Sequence, residues 1–369
     1  MAQDDIFGPQ GVASPAQSVT WNAQGDVRTT QGDVESHKVT AGSLKGTKFS
    51  LGPCNTRSMS RAWRVAFAPL TFALSLGGAT APAAAPSSSD TASDTARSQR
   101  AWAAACSDSD GWDQPGPPFR IFGNSYYVGT CGIAAILITS PKGHVLIDSG
   151  TEKGADVVVA NIRALGFRPT DVAILLSSHE HFDHVGGMAK LQETTGARVF
   201  ASPAAARVLL TGEDALADPQ YGMHPPMRPV ARVGVIREGQ KVRYNRNGLV
   251  LTPLFTPGHT PGATSWQWRS CVGQDCRTIV FADSLSPVSS DAYRFSAHPG
   301  YLAAYRASLA KLAATPCDIL LTPHPSASGM REKLAKGSLA TPAPASCRDY
   351  AKGIADRLDA RIAKEADGG

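Results

Sequence analysis

Ser178-His179-Glu180-His181-Phe182-Asp183-His184-Val185-Gly186-Gly187 decides how this chain is read. Four metal-capable side chains, His179, His181, Asp183 and His184, fall within six positions. Ordinary surface or core has no need of that density. In an extended segment alternate side chains share a side, so His179 and His181 can address one ion. Asp183 and His184 follow where the chain begins to turn, and can face a second, neighbouring position. Neutral imidazole and carboxylate are good zinc donors, and zinc sites usually hold four of them. The run is therefore half of a two-metal site that needs further histidines from elsewhere.

Two stand in suitable places. His259 lies in Thr256-Pro257-Gly258-His259-Thr260-Pro261-Gly262 and His324 in Thr322-Pro323-His324-Pro325. Proline and glycine make each stretch a turn or loop, and each follows a run that reads as a strand, where a rigid scaffold places ligands and catalytic groups. His179, His181 and His259 would serve one zinc, and Asp183, His184 and His324 the other, leaving positions for water. Taken singly, His259 or His324 is a weak signal. The remaining histidines have ordinary settings: His37 in a polar extension, His144 at a strand start, His224 in a Pro-rich loop and His298 before a helix.

The H-x-H-x-D-H run, T-P-G-H-T-P-G and T-P-H-P-S-A-S together resemble the metallo-β-lactamase superfamily, and within it class B β-lactamases of subclass B3, over roughly residues 106–350. Some relatives ligate the second zinc through a cysteine after the strand Thr278-Ile279-Val280-Phe281. Here the stretch continues Ala282-Asp283-Ser284-Leu285-Ser286, without one. The resemblance implies that His184 takes that place and that Ser284 and Ser286 help hold a substrate carboxylate. Asp283 stays open between two readings. Lactonase-like and glyoxalase II-like members use a bridging aspartate near this strand end, whereas the lactamase pattern makes it a neighbour; a one-residue slip reverses the facing. Asp148, in Leu146-Ile147-Asp148-Ser149-Gly150, reads as a buried structural or outer-shell aspartate.

The strand and helix pattern agrees. Residues 119–122, 126–128, 132–138 and 144–148 read as successive strands, 153–165 as a helix, and 171–176 as the buried strand that delivers the metal run. A helix over 186–196 follows, then strands near 249–255, 264–268 and 277–282, a helix at 300–314, the strand 317–321 and an amphipathic helix at 348–365. Mixed strands with helices on outer faces give an α/β fold: an αββα sandwich of two stacked mixed sheets. The 211–228 loop, with Tyr221 and His224, is either a wall of the cleft or a plain connector.

The chain has 369 residues, 42% of them hydrophobic, and a net charge of +5 with scattered basic residues. That suffices for a core and gives no basic stripe for nucleic acid. Residues 1–58 are polar and aperiodic and are expected to be a disordered extension outside the domain. From Met59, the basic Arg61 and Arg64, the apolar stretch 65–76 and the A-x-A sites near 79–85 describe a signal peptide over 59–85, too short for a confident membrane span. Its position suggests that Met59 is the true start; a long leader with an internal anchor is the other reading. Residues 86–105 read as a flexible linker and 106–369 as the catalytic domain of a periplasmic or secreted protein. It is expected to have no stable membrane anchor and to be a monomer.

Of seven cysteines, Cys54 lies in the extension. The other six, Cys106, Cys131, Cys271, Cys276, Cys317 and Cys347, suggest disulfides in an exported chain. Cys271 and Cys276 flank a turn-like loop and can close it locally. The resemblance implies Cys106–Cys131 and Cys317–Cys347; the latter would staple the last helix, worth on the order of 3 kcal/mol.

The implied chemistry is hydrolysis of β-lactams (penicillins, cephalosporins and carbapenems) with two zinc ions and a small-molecule substrate. Zinc lowers the pKa of bound water from about 15.7 towards 7, making hydroxide available, and Asp183 would orient that nucleophile. Other readings of the same site are a lactonase or glyoxalase II-like thioesterase, an iron-dependent redox enzyme, and a non-catalytic zinc binder. Ser308-Leu309-Ala310-Lys311 matches S-x-x-K but lacks the S-D-N and K-T-G partners, which disfavours a serine β-lactamase.

Overall fold

The computed structural model describes residues 88–109, 111–244 and 248–367, with a pair of two-residue strands at Thr20–Trp21 and Val27–Arg28. Apart from that pair, the expected extension over 1–58 and signal peptide over 59–85 lie outside the described residues.

Seven strands form one sheet in chain order: β1 (Phe119–Phe122), β2 (Ser125–Tyr127), β3 (Ile136–Ile138), β4 (His144–Ile147), β5 (Val172–Leu176), β6 (Arg198–Ala201) and β7 (Val233–Val235). Strands β1 to β4 pair antiparallel and β4 to β7 parallel. The second sheet has five strands: β8 (Val242–Tyr244), β9 (Leu249–Phe255), β10 (Thr264–Val272), β11 (Asp275–Phe281) and β12 (Ile319–Leu321), antiparallel except for the β11–β12 pair.

Alternation along the strands explains the layering. Ile136, Ile138, Ile174 and Leu176 of the first sheet share one buried cluster with Trp266, Trp268, Ile279 and Phe281 of the second. The intervening Leu137, Leu146 and Leu175 turn the other way. They meet α2 (Gly154–Ala164) through Val158 and Ile162, and α4 (Met188–Thr195) through Met188 and Leu191. Val280 and Leu320 meet α6 (Pro299–Ala313) and α8 (Ser346–Ala366) through Leu309, Leu312, Ile354 and Leu358. The layers are helix, sheet, sheet, helix, as expected. Strands buried on both faces read as unbroken apolar runs, and each such Leu or Ile contributes roughly 1.5–3 kcal/mol.

Three local expectations are corrected. Residues 86–105 were expected as a flexible linker, but Ser88–Ala105 forms a helix, α1. Trp102 and Cys106 at its end are buried, Gln99 donates to the Arg120 carbonyl at 2.8 Å and Cys106 is bonded to Cys131. These anchors outweigh the polar Ser- and Asp-rich start. Within 132–138 only Ile136–Ile138 is strand, because the chain before it turns back on itself: Thr130 N–H donates to the Ile133 carbonyl at 2.9 Å. The helix expected from Gly186 begins earlier, as α3 (Phe182–Val185), and breaks at Gly186-Gly187 before α4. Cys271–Cys276 and Cys317–Cys347 are also bonded. No helix among the described residues is long and apolar enough to cross a membrane.

Candidate metal centre

Five strand ends deliver the site. Asp148 follows β4, the histidine run follows β5, His259 follows β9, Asp283 to Ser286 follow β11, and His324 follows β12. In each case the polar group stands where a strand stops, held by a rigid sheet yet free of the ladder.

The expected donors come together. Ligand atoms of His179, His181 and His259 lie within 4.8 Å of one another, as do those of His179, Asp183 and His184. His324 joins the second group: its Nε2 is 3.3 Å from His184 Nε2 and 3.4 Å from Asp183 Oδ2. His184 Nε2 is 3.0 Å from the same carboxylate oxygen. Burial holds the imidazoles of His179 and His259 well below the ordinary range, in the neutral form that ligation needs. Burial opposes ionisation of Asp183 as well, but the neighbouring His184, His324 and His181 outweigh it and hold the carboxyl well below the usual range.

His259, His181 and His179 each have one ring nitrogen engaged away from the cluster, which fixes the nitrogen left for an ion. His259 Nδ1 is 2.9 Å from the Ser286 carbonyl. His181 Nε2 is 3.1 Å from Asp218 Oδ2. His179 Nδ1 is 2.8 Å from Asp283 Oδ1, although that oxygen makes no aligned hydrogen bond, and 3.2 Å from Ser178 Oγ. His184 Nδ1 is buried without a hydrogen-bond partner, with Asp148 Oδ2 3.8 Å away. The opposite nitrogen of His179, Nε2, is buried without a partner. A buried, unpaired imidazole nitrogen amid five other potential donors fits a cation, so the donor set passes the test for a metal.

Asp283 thus lies behind His179, and its other oxygen accepts from Leu285 N–H at 3.1 Å. Asp148 accepts from Ser178 N–H at 2.6 Å and Ser178 Oγ at 2.7 Å, tying β4 to the start of the run. Burial pushes both carboxyls up to about 7, against the pull of their hydrogen bonds and of His184. Asp148 and Leu285 have φ of 64° and 45°. Such non-glycine left-handed residues cost of order 1–3 kcal/mol and cluster at functional sites.

Glu180, between two donors in sequence, points the other way. It accepts from Thr260 Oγ1 and Gly262 N–H, both at 2.8 Å, and so clamps the His259 loop to the histidine run. Gly262 is required there: a Cβ would stand 2.5 Å from Ala205 N and from Glu180 Oε2. Of the two serines, Ser284 Oγ is buried without a partner, whereas Ser286 Oγ rests 3.2 Å from His259 Nδ1.

The 211–228 loop belongs to the site, and the ordinary setting assigned to His224 is corrected. Its ring centroid is 4.7 Å from that of His181 and 6.2 Å from that of Trp112. The same loop supplies Asp218 and Gln220, which the sequence reading passed over; Gln220 Nε2 is 3.4 Å from His259 Nε2. Only the D-P-Q turn before the Pro-rich stretch hinted at them. Beside His324, a small pocket is lined by Trp112, Gly132, Pro325 and Ser326 among others.

The family model described as Metallo-beta-lactamase superfamily matches residues 128–324. Among solved structures, the MIM-2 metallo-beta-lactamase is 57% identical, with a TM-score of 0.68 over 73% of this chain and 98% of its own. MEM-A1, a subclass B3 metallo-beta-lactamase isolated from a soil metagenome library, is 41% identical, with a TM-score of 0.68 over 70% of this chain and 100% of its own. An N-acyl homoserine lactonase, AttM, from Azorhizobium caulinodans is 29% identical over 198 residues, 45% of this chain and 69% of its own length. The chain spans little more than half the length of several other curated relatives.

Proposed function

The chain belongs to the metallo-beta-lactamase superfamily, and from that footing we propose that it hydrolyses the amide of β-lactam antibiotics with two zinc ions. One observation carries the substrate class: the likeness to MIM-2 runs through 98% of that enzyme at 57% identity, far beyond the partial match to the lactonase. Penicillins, cephalosporins and carbapenems are the expected substrates.

His179, His181 and His259 would hold one ion, and Asp183, His184 and His324 the other. Bound zinc would supply Lewis acidity and lower the pKa of water from 15.7 to about 7. Asp183, held ionised by the imidazoles around it, can accept a hydrogen from the attacking water through a carboxylate oxygen and so aim it at the lactam carbon. Asp218 braces His181, Asp283 backs the His179 ring, and Asp148 holds the start of the run through Ser178. Ser284 Oγ, buried and unpartnered, can donate to the substrate carboxylate; Ser286 would help it while bracing His259. No serine need become acylated.

The test is hydrolysis of a β-lactam panel by the mature domain, with and without a chelator. Ring opening that chelation abolishes is the expected result. Ready opening of a lactone or thioester with no β-lactam turnover would overturn the substrate. His181→Ala or Asp183→Ala should lower kcat/KM by more than about 100-fold, the upper range seen even for outer-shell partners of a metal, with circular dichroism unchanged. Export after signal-peptide cleavage fits the apolar stretch near residue 70 and the three disulfides. N-terminal sequencing of the protein from its native host checks it, and a cytosolic product retaining residues 1–58 would refute it.

A further inference from the structure

Asp218 sits on the loop between α5 (Pro203–Thr211) and β7, 3% exposed, with no strand to hold it. The loop is nevertheless tightly tied. Asp218 N–H donates to the Ala215 carbonyl at 2.9 Å, and the Asp218 carbonyl accepts from Tyr221 N–H at 3.0 Å. Its Oδ1 accepts from Gln220 N–H at 2.8 Å. Ser290 N–H, on the stretch after Ser286, donates to the Pro219 carbonyl at 2.9 Å. These bonds fix the carboxylate so that Oδ2 faces His181 Nε2 at 3.1 Å.

That contact sets His181 apart. His179 and His259 have their Nδ1 atoms engaged from behind, by Asp283 and Ser178 and by the Ser286 carbonyl. In His181 the engaged atom is Nε2. A carboxylate accepts there only if Nε2 carries the hydrogen, which leaves the Nδ1 lone pair as the donor to an ion. Without Asp218, either tautomer and a rotated ring become open to His181.

We propose that Asp218 is a positioning residue for the metal position formed by His179, His181 and His259, and that it fastens the 212–228 loop to that position. The inference rests on the two-metal reading above. Loss of such an outer-shell partner typically weakens metal affinity 10–100-fold.

The experiment measures zinc retained per chain across a titration with a competing chelator, and the visible spectrum of the cobalt(II)-substituted protein. It compares wild type, His181→Ala, Asp218→Ala and Asp218→Asn. Asp218→Ala should weaken one of two ions by about 10–100-fold and leave the other unchanged. Asp218→Asn, which keeps an oxygen to accept from Nε2–H, should lose less, and it provides the reading should the alanine variant fold poorly. Amide exchange in residues 212–228 should rise in Asp218→Ala. Wild-type retention of both ions in Asp218→Ala, or equal loss of both in Asp218→Asn, overturns the inference. If His181→Ala removes no ion that the wild type binds, the metal reading itself fails.

Discussion

Glu180 and Gly262 show how much of this site is set by single residues that never meet an ion. The Glu180 carboxylate satisfies a hydroxyl and a backbone N–H on the His259 loop. Glu180→Ala would leave both without a partner in a buried place, at a cost of about 1–3 kcal/mol, and would free His259 to drift. Gly262→Ala should cost a similar amount by overpacking, about 1–3 kcal/mol, because the new methyl meets backbone at Ala205. Urea denaturation measures both; a midpoint equal to wild type for either variant would contradict the clamp. The donors themselves were legible because four of them are packed into one run, and His259 and His324 because glycine and proline mark their loops. Asp218, Gln220 and His224 were not. Their partners lie dozens of residues away, Asp218 being 37 positions from His181, and a lone acidic or imidazole group in a turn has many uneventful explanations.

Among the elements, α8 governs the stretch that carries the serines. Tyr350 Oη donates to the Ser284 carbonyl at 2.6 Å, Arg361 donates to the Tyr293 carbonyl at 2.9 Å, and Glu365 accepts from Ser296 N–H at 2.9 Å. The Cys317–Cys347 bond ties the start of this helix to the lead into β12. Replacing both cysteines by alanine should cost roughly 3–4 kcal/mol by chain entropy, seen in the denaturation midpoint. KM should rise more than kcat falls, since the role proposed for the serines is to hold substrate, and only Ser286 also touches a histidine of the cluster. Unchanged KM would show that the serine stretch holds its shape without the staple. Central strands such as β3, β5 and β12 were readable because they are buried almost throughout and their apolar runs are unbroken, whereas β6, β7 and β8 are short and half-buried and were missed. Helix α1 was not: its Ser- and Asp-rich start says flexible, and the anchors that order it, Trp102 and the Cys106–Cys131 bond, act only once β1 and β2 are in place.

Over the whole molecule, the two sheets are joined by a shared apolar interior and also by the donors. The histidine run comes from the first sheet, His259 and His324 from the second. An ion bound by both sheets stabilises the folded chain by mass action, about 2.7 kcal/mol for each site at a hundredfold excess over its Kd. Zinc-loaded protein should therefore melt several degrees above chelated protein, with the gap widening as free zinc rises; identical melting curves would mean that no ion bridges the sheets. The layered architecture followed from sequence pattern; the convergence of three distant loops was read from the loop settings of His259 and His324 and from resemblance, and the geometry brings their donors to one place. That convergence also orders events in time. His184 and His324 meet across 140 residues, and the Glu180 clamp closes across 82, so an unfolded chain offers only the short histidine run to a passing ion. A cation caught there early would have to be carried through the docking of the second sheet, and refolding in excess zinc should lag behind refolding in chelator followed by zinc.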